Sequence, residues 1–224
     1  MKQLAAVAPA HAVEPLARIL ELQASDPTAS TTVRDPAAAV DRHVADSLSA
    51  LSLPYVAAAR RIADLGSGAG WPGLALASAL PEATVWLVES QSRHTKYLER
   101  AVEVAGLTNV VVVTARAEAW PQGLGAHDLV TARALAALPV LVEYAAPLLA
   151  EGGHFVAWKG AVPEEERAAG LAAAAIVGLE ALAPVPVTPY AGAREHTLHP
   201  FRKIAPTPER FPRRVGMAVK RPLA

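Results

Sequence analysis

The stretch IADLGSGAGWPG, residues 62–73, decides the fold of this 224-residue chain. An apolar run ends at Leu65, and four glycines and Pro72 follow before the next apolar segment. Glycine is needed in such a loop because the chain turns tightly and a ligand approaches the backbone with no Cβ in the way. The stretch therefore predicts a strand, a ligand-binding loop and a helix, in that order.

Outward from this loop, apolar runs of strand length alternate with helix-like segments. The predicted strands are Arg61–Leu65, Thr84–Val88, Val110–Thr114, Asp128–Thr131 and His154–Trp158. The predicted helices between and after them are Pro72–Leu80, Arg93–Ala105, Leu135–Leu149 and Pro163–Ala175. Near-continuous apolar runs are typical of strands covered on both faces. The alternation predicts an α/β fold with a doubly wound, mostly parallel sheet.

The two ends of the chain have a different pattern. Helices are predicted at Val13–Ala24 and at Pro36–Leu51, where proline follows Asp35 at a helix start. Beyond Pro184, Val185–Pro189 and His196–Ile204 predict an antiparallel pair at the sheet edge. We expect a helical extension over residues 1–58, a catalytic domain over 59–206 and a basic tail over 207–224.

Charge is distributed unevenly along the chain. The formal net charge is zero, yet residues 194–224 carry eight basic and two acidic side chains, which gives +6 and leaves −6 on the preceding 193 residues. Attraction to phosphates depends on a local patch and not on the sum. A polyanionic partner and a solvated tail both remain possible on charge alone.

The chain has no cysteine, which excludes disulfides, thiolate zinc sites and cysteine nucleophiles. The N-terminal residues lack the basic start and apolar core of a signal peptide, and no apolar run has the length of a membrane span. We expect a soluble, cytoplasmic protein without a membrane or metal partner. His196-x-x-His199 lacks a third ligand nearby and is predicted to lie on a solvent-facing edge strand.

Two cofactors fit the glycine loop. Gly68, Gly70 and Gly73 match the dinucleotide fingerprint, whereas Asp64 with Gly66, Gly68 and Gly70 matches the D-x-G-x-G-x-G loop of S-adenosylmethionine enzymes. An acid at the strand end suits a sulfonium and an α-amino group and repels a pyrophosphate, so Asp64 favours S-adenosylmethionine.

Further along the chain, two acidic positions extend the cofactor site. Glu89 ends the second strand, where a carboxylate reaches ribose hydroxyls. Ala117 and Glu118 follow the third strand, where adenine is expected.

Four cations lie at or just beyond the carboxyl ends of the strands: Arg93, Arg116, Arg133 and Lys159. A cationic rim suits phosphate contacts. No general base is visible among these residues, which suits an acceptor atom with a free lone pair, such as N7 of guanine. A small anionic acceptor is the alternative.

Several motifs resemble the ribosomal RNA small subunit methyltransferase G family, also called glucose-inhibited division protein B. The matching stretches are DRHVADSL (41–48), DLGSGAGWPGLALA (64–77), LVESQSRHTKYL (87–98), ARAEAW (115–120), TARALAALPVLVEYAAPLL (131–149), WKG (158–160) and FPRRVGMAVKRPL (211–223). The resemblance implies a Rossmann-like class I methyltransferase fold. It also implies S-adenosylmethionine as cofactor and methylation of N7 of a guanine in the 530 loop of 16S rRNA, free or in the 30S particle.

The glycine-loop motif, the basic C-terminal segment and the resemblance together give a set of expected site residues. Those expected to bind the cofactor are Asp64, Gly66, Ser67, Gly68, Gly70, Trp71, Glu89, Ala117, Glu118 and Arg133. Arg133 is also the expected catalytic residue at the target base. Those expected to bind RNA are Arg93, Arg116, Lys159, Arg213, Arg214 and Lys220. The chain departs from the family at His94 and Trp71, and its first 30 residues match poorly.

Three other functions compete with this hypothesis. A small-molecule methyltransferase would not label 16S rRNA. An RNA-binding module with a vestigial cofactor pocket would bind RNA in a salt-dependent way but transfer nothing. An NAD-linked oxidoreductase would bind NADH in preference to S-adenosylhomocysteine.

Overall fold

The structure, a computed structural model, describes all residues from Met1 to Ala224. The strands are β1 Arg61–Leu65, β2 Thr84–Glu89, β3 Val110–Thr114, β4 His127–Arg133, β5 Leu149–Lys159, β6 Leu179–Ala181, β7 Val185–Val187 and β8 His196–Lys203. The helices are α1 Lys2–Val7, α2 Val13–Ser25, α3 Pro36–Ala39, α4 Asp46–Leu48, α5 Pro54–Ala57, α6 Gly73–Ala79, α7 Ser92–Ala105, α8 Leu138–Ala145, α9 Glu164–Val177 and α10 Met217–Lys220.

All eight strands belong to one sheet, with the order β3-β2-β1-β4-β5-β8-β6 and with β7 also paired to β8. Strands β1 to β5 are parallel, and β8 runs antiparallel to β5. The chain winds outward in one direction from β1 and in the other from β4, so the crevice between these two strands is the expected ligand site. The predicted doubly wound, mostly parallel α/β fold is confirmed.

Each parallel strand contributes side chains to two hydrophobic cores, one on each face of the sheet. Ile62 and Leu87 point to the core that also contains α2, α6 and α7. Ala63 and Val88 point to the opposite core, beneath α8 and α9. This arrangement explains why the inner strands β1, β4 and β5 are apolar without strict alternation, since both of their faces are covered, whereas the edge strand β3 is only partly buried.

The N-terminal helices pack into the first of these cores, where Leu16 and Ile19 of α2 are fully buried. The predicted helix Pro36–Leu51 is helical throughout but not one regular α-helix. Helix α3 is capped by Asp35, which accepts a 2.7 Å hydrogen bond from the Ala38 amide. A π-helical turn over Val40–Ala45 then separates α3 from α4. Such turns are frequent at functional sites.

The prediction of an edge pair after Pro184 was only partly correct. Strands β7 and β8 are antiparallel, but β8 lies inside the sheet, between β5 on one side and β6 with β7 on the other. The prediction of a solvent-facing His-x-x-His stretch was therefore wrong. His199 is buried, and His196 is bonded to Asp46. Strand β6, which pairs with the outer edge of β8, is only three residues long and shows no recognisable strand pattern in the sequence.

Residues 207–224 pack against the second core, with Phe211 and Ala218 buried. Arg213 forms an ion pair with Glu143 of α8 through both carboxylate oxygens, at 2.6 and 2.5 Å. The basic end of the chain is thus held against the sheet domain. None of the helices combines the length and the apolar character needed to cross a membrane.

Candidate cofactor and acceptor site

The glycine loop after β1 is shaped by three residues with left-handed backbone angles: Gly66 at φ 65°, Gly68 at φ 53° and Gly70 at φ 97°. Side chains other than glycine rarely adopt such angles. The amides of Gly66 and Ser67 both donate to the Val88 carbonyl of β2. The loop is therefore fixed to the carboxyl end of the neighbouring strand before any ligand binds.

Asp64 lies beneath this loop and not in a cavity. Its carboxylate is fully buried and accepts hydrogen bonds from the Thr131 hydroxyl at 2.9 Å and the Gly73 amide at 3.3 Å. Burial raises the pKa of Asp64 to about 6, against the lowering effect of these bonds. In this structure Asp64 holds β1, β4 and the start of α6 together, and its carboxylate does not line the ligand space.

Glu89, at the end of β2, borders a cavity of about 350 Å³. One of its oxygens accepts a bond from the Gly68 amide at 3.1 Å, and the other accepts from the Gln91 amide at 2.8 Å. Each carboxylate oxygen has a second lone pair, so both remain able to accept hydroxyl protons from a ribose. The geometry places Glu89 where it can hold a sugar and the loop at once.

The far wall of this smaller cavity contains Ala117 and Glu118, as expected, and also Tyr144 and Val219, which the sequence did not indicate. Glu118 accepts a 2.9 Å hydrogen bond from the Gly216 amide, which ties the C-terminal segment to the cavity. Tyr144 belongs to α8 and Val219 to α10, both distant in sequence from the glycine loop.

A larger cavity of about 770 Å³ adjoins the smaller one, and the two share Gly66 and Gly68 of the loop. Residues 28–33, between α2 and α3, form one side of it. Trp71 contributes a further wall. Its indole stacks on the His43 imidazole with 5.6 Å between ring centroids, and its Nε1 donates to Gln23 at 2.7 Å.

Arg133 lies at the junction of the larger cavity with a third depression beside β5 and β8. Its Nη1 donates to an oxygen of the buried Asp46 at 2.8 Å and to the Arg42 carbonyl at 3.1 Å. The other Asp46 oxygen pairs with His196 at 2.9 Å. Only 16% of the Arg133 side chain is exposed. The guanidinium is thus held in one orientation, with Nε and one Nη2 proton free of these contacts.

Arg133 makes its third hydrogen bond to His43, since Arg133 Nη2 lies 3.1 Å from His43 Nδ1. A guanidinium only donates, so Nδ1 must be the unprotonated nitrogen and Nε2 carries the proton. Burial and the charge of Arg133 lower the pKa of His43 to about 4, which keeps the ring neutral. Nε2 lies 3.0 Å from the Thr31 hydroxyl oxygen and donates to it.

The remaining expected RNA contacts occupy different environments. Arg93 is exposed at the larger cavity and donates to the Pro27 carbonyl, and Arg116 is exposed at the smaller cavity. Lys159 forms a 2.7 Å ion pair with Glu166 of α9. Arg214 and Lys220 are exposed, unlike Arg213, whose guanidinium is engaged by Glu143. Arg93, Arg116, Arg214 and Lys220 are therefore exposed and able to contact phosphates, whereas Lys159 and Arg213 are already engaged in ion pairs within the protein.

One buried polar atom next to the smaller cavity has no partner in the protein. His94 Nδ1 makes no hydrogen bond and lies 3.8 Å from the nearer Glu89 oxygen, beyond bonding distance. A buried polar atom without a partner is uncommon, and one beside a cavity is a natural place for a ligand group. With the cradle of positive-φ glycines, this atom indicates that the cavity is built around an occupant.

Comparison with known proteins agrees with this geometry. A family model described as rRNA small subunit methyltransferase G matches residues 22–188. A ribosomal RNA small subunit methyltransferase G from Rubrobacter xylanophilus is 44% identical over 196 residues, which are 85% of this chain and 75% of that protein. The protein of the same name from Chloroflexus aggregans is 42% identical, over 86% of this chain and 82% of its own length.

Solved structures show the fold at greater distance. Aeropyrum pernix fibrillarin, solved with natively bound S-adenosyl-L-methionine, aligns with a TM-score of 0.56 at 20% identity, over 70% of this chain and 72% of that one. A putative O-methyltransferase from Klebsiella pneumoniae also reaches a TM-score of 0.56, at 18% identity, over 85% of this chain and 90% of that one.

Proposed function

The chain belongs to the rRNA small subunit methyltransferase G family, and from that premise we propose that it methylates N7 of a guanine in the 530 loop of 16S rRNA. Its enzyme class is that of S-adenosylmethionine-dependent rRNA methyltransferases. The observation that carries the finer proposal is the meeting of two cavities at Gly66 and Gly68, with Arg133 fixed beside the larger one.

The residues of the smaller cavity suit S-adenosylmethionine. Glu89 would accept the ribose hydroxyls, and Ala117 and Glu118 would contact the adenine. The glycine loop would lie against the methionine part, since no Cβ obstructs it at Gly66 or Gly68. When bound, this cofactor supplies a methyl group on a sulfonium centre, whose transfer yields S-adenosylhomocysteine.

The larger cavity suits an unpaired guanine. N7 of guanine has a lone pair at neutral pH and forms the new bond to carbon without losing a proton, so the protein needs no base. Consistent with this, the larger cavity has no carboxylate among its lining residues. The catalytic task is alignment of N7 with the methyl group and exclusion of water.

Arg133 is the residue that we propose for this alignment. Its contacts to Asp46, His43 and the Arg42 carbonyl hold it rigidly, which leaves its free donors in a defined direction. A charged donor so held can bind the guanine edge or an adjacent phosphate. We propose that Arg93, Arg116, Lys159, Arg214 and Lys220 bind the surrounding phosphates.

The test is transfer of labelled methyl from S-adenosylmethionine to 30S subunits that lack the modification, followed by mapping of the modified guanine. Arg133→Ala should lower single-turnover transfer by about a hundredfold or more, and Arg133→Lys should restore only part of it. The matched control is Arg18→Ala, because Arg18 pairs on the exposed face of α2 with Glu14. S-adenosylhomocysteine affinity, measured by calorimetry, should be nearly unchanged in all three variants.

Two results would contradict the proposal. Transfer to small anionic acceptors but not to RNA would indicate a small-molecule methyltransferase. Salt-dependent RNA binding with no transfer would indicate a binding module. Wild-type rates in both Arg133 variants would leave the enzyme class intact but remove Arg133 from the acceptor site.

A further inference from the structure

The segment between α2 and α3, residues 26–34, is held firmly at the edge of the larger cavity. Arg100 of α7 donates twice to one oxygen of Asp26, at 3.0 and 2.6 Å. Arg34 donates to three carbonyls, those of Gln23, Asp26 and Ala29. Burial opposes ionisation of Asp26, but the bonds from Thr28 and Arg100 lower its pKa to about 2, so this anchor is intact at neutral pH. The segment is therefore a preorganised wall.

Thr31 is the residue of this wall whose hydrogen bonds can be counted completely. Its hydroxyl oxygen accepts a bond from the Val33 amide at 3.1 Å. It accepts a second from His43 Nε2 at 3.0 Å, because Arg133 fixes that nitrogen as the donor. A hydroxyl has two acceptor positions and one proton. Both acceptor positions are occupied, and the proton finds no acceptor within the protein.

The Thr31 hydroxyl borders the larger cavity together with His43, Trp71 and Arg133. It is therefore a donor that cannot act as an acceptor, facing the space where the target base is expected. A polar group that is prearranged to donate leaves its proton unpaired unless the ligand supplies an oxygen or a bare nitrogen.

We propose that the Thr31 hydroxyl donates to O6 of the target guanine and selects guanine against adenine. This inference rests on the proposed function. Guanine carries N7 and O6 side by side on one edge, both as acceptors, whereas adenine has N7 beside an amino donor. With N7 facing the methyl group, O6 is the acceptor left on that edge. In adenine, an amino group stands where guanine has O6, so two donors would face each other and no hydrogen bond could form with Thr31.

Arg133 therefore acts on the choice of base indirectly, through His43 and Thr31. Arg133 sets the tautomer of His43, and His43 sets the direction of the Thr31 proton. Selectivity against an isostere is large when a donor in the site would otherwise lack its partner once the ligand has displaced water. Here the half-buried Thr31 donor is set in advance by a cation that cannot release its proton.

The experiment uses the full-length protein with 30S subunits whose target position holds either guanine or 2-aminopurine, a base with N7 but no O6. On guanine, Thr31→Val should lower single-turnover transfer about tenfold, and Thr31→Ser should keep it near wild type. On 2-aminopurine, Thr31→Val and the wild type should be equal within about twofold. The matched control is Thr108→Val, because Thr108 is exposed in the turn before β3.

Dissociation constants of each variant for the guanine-bearing and the 2-aminopurine-bearing subunits are measured alongside the rates. Wild type and Thr31→Val can then be compared on both bases even where transfer to 2-aminopurine is slow. An equal loss on both bases would overturn the proposal, since it would show that Thr31→Val only disturbs the packing around His43. A tenfold loss of S-adenosylmethionine affinity in Thr31→Val would also overturn it, because the hydroxyl would then serve the cofactor's carboxylate. A wild type inactive on every guanine-bearing subunit would instead refute the proposed function itself.

Discussion

The ion pair between Arg213 and Glu143 allows a direct test of whether the basic end of the chain is a structural element. Arg213→Met removes the guanidinium but keeps a long apolar side chain. It leaves the Glu143 carboxylate, which is 3% exposed, without its two charge-assisted bonds. Breaking a buried pair from one side costs roughly 3–5 kcal/mol, because the remaining charge is uncompensated.

Urea unfolding at neutral pH measures this cost. With a slope of about 2–3 kcal/mol per molar urea, the midpoint of Arg213→Met should fall by about 1–2 M at unchanged slope. The double variant Arg213→Met/Glu143→Met should recover most of the loss, since a buried pair replaced by apolar groups is often neutral. The control Arg18→Met, which breaks an exposed helical pair with Glu14, should shift the free energy of unfolding by about 0.5 kcal/mol or less.

Two outcomes would refute this reasoning. A cost below about 1 kcal/mol for Arg213→Met would mean that the pair is solvated and that the segment is only loosely held. A double variant as unstable as either single variant would assign the loss to packing and not to an unpaired charge. The salt dependence of RNA binding adds a further criterion. If Arg213 is structural, Arg213→Met should leave the slope of log RNA affinity against log salt unchanged. If Arg213 contacts a phosphate, the substitution should lower that slope by about one.

Three further predictions concern the cofactor, acid stability and RNA. Glu89→Gln should weaken S-adenosylhomocysteine binding by about 1–3 kcal/mol in calorimetry, because a charged acceptor of ribose hydroxyls is lost, and unchanged affinity would remove Glu89 from the site. The pKa of His43 is about 4 when folded against 6.5 ordinarily, so only the unfolded chain takes up a proton between these values. The contribution of His43 to stability, up to roughly 3 kcal/mol, is therefore lost as the pH falls from about 6.5 to about 4, while the raised pKa of Asp64 acts in the opposite direction over part of this range. In urea titrations, the acid loss of stability should be smaller in His43→Asn than in the wild type, and an unaltered profile would contradict the burial argument. Arg214→Ala and Lys220→Ala should each lower the slope of log affinity against log salt for RNA by about one, with cofactor affinity kept, and equal losses of both affinities would point to a structural role instead.

The sheet was predictable because its strands obey a local rule. Arg61–Leu65 is an apolar run bounded by polar or glycine-containing turns, and burial on both faces requires such a run. Val110–Thr114 has the same apolar pattern, although it lies at the sheet edge and is only partly buried. The interior position of β8 was not predictable, because β6, which pairs with it beside β7, has only three residues and gives no periodic signal.

The candidate site divides in the same way. The glycine loop and Glu89 follow from spacing along one strand-helix-strand unit, β1 to β2. The hydrogen-bond partners of Asp46 could not be predicted from spacing, because Arg133 and His196 lie 87 and 150 residues further along the chain. The role proposed for Thr31 also required coordinates, since the direction of its hydroxyl proton is defined only when the hydrogen bonds of His43 and Arg133 are both known. In sequence, DPTASTTVRDP looks only like a polar turn.

The Asp46 carboxylate joins three parts of the molecule that fold from distant stretches of chain. It sits in the N-terminal helices, it holds the end of β4 through Arg133, and it holds the start of β8 through His196. The orientation of the arginine therefore exists only when all three parts are in place. Opening of the N-terminal helices, even with the sheet intact, would release the guanidinium, and under the proposed role of Arg133 we expect this to stop methyl transfer. We therefore expect loss of methyl transfer on heating to precede loss of the fold.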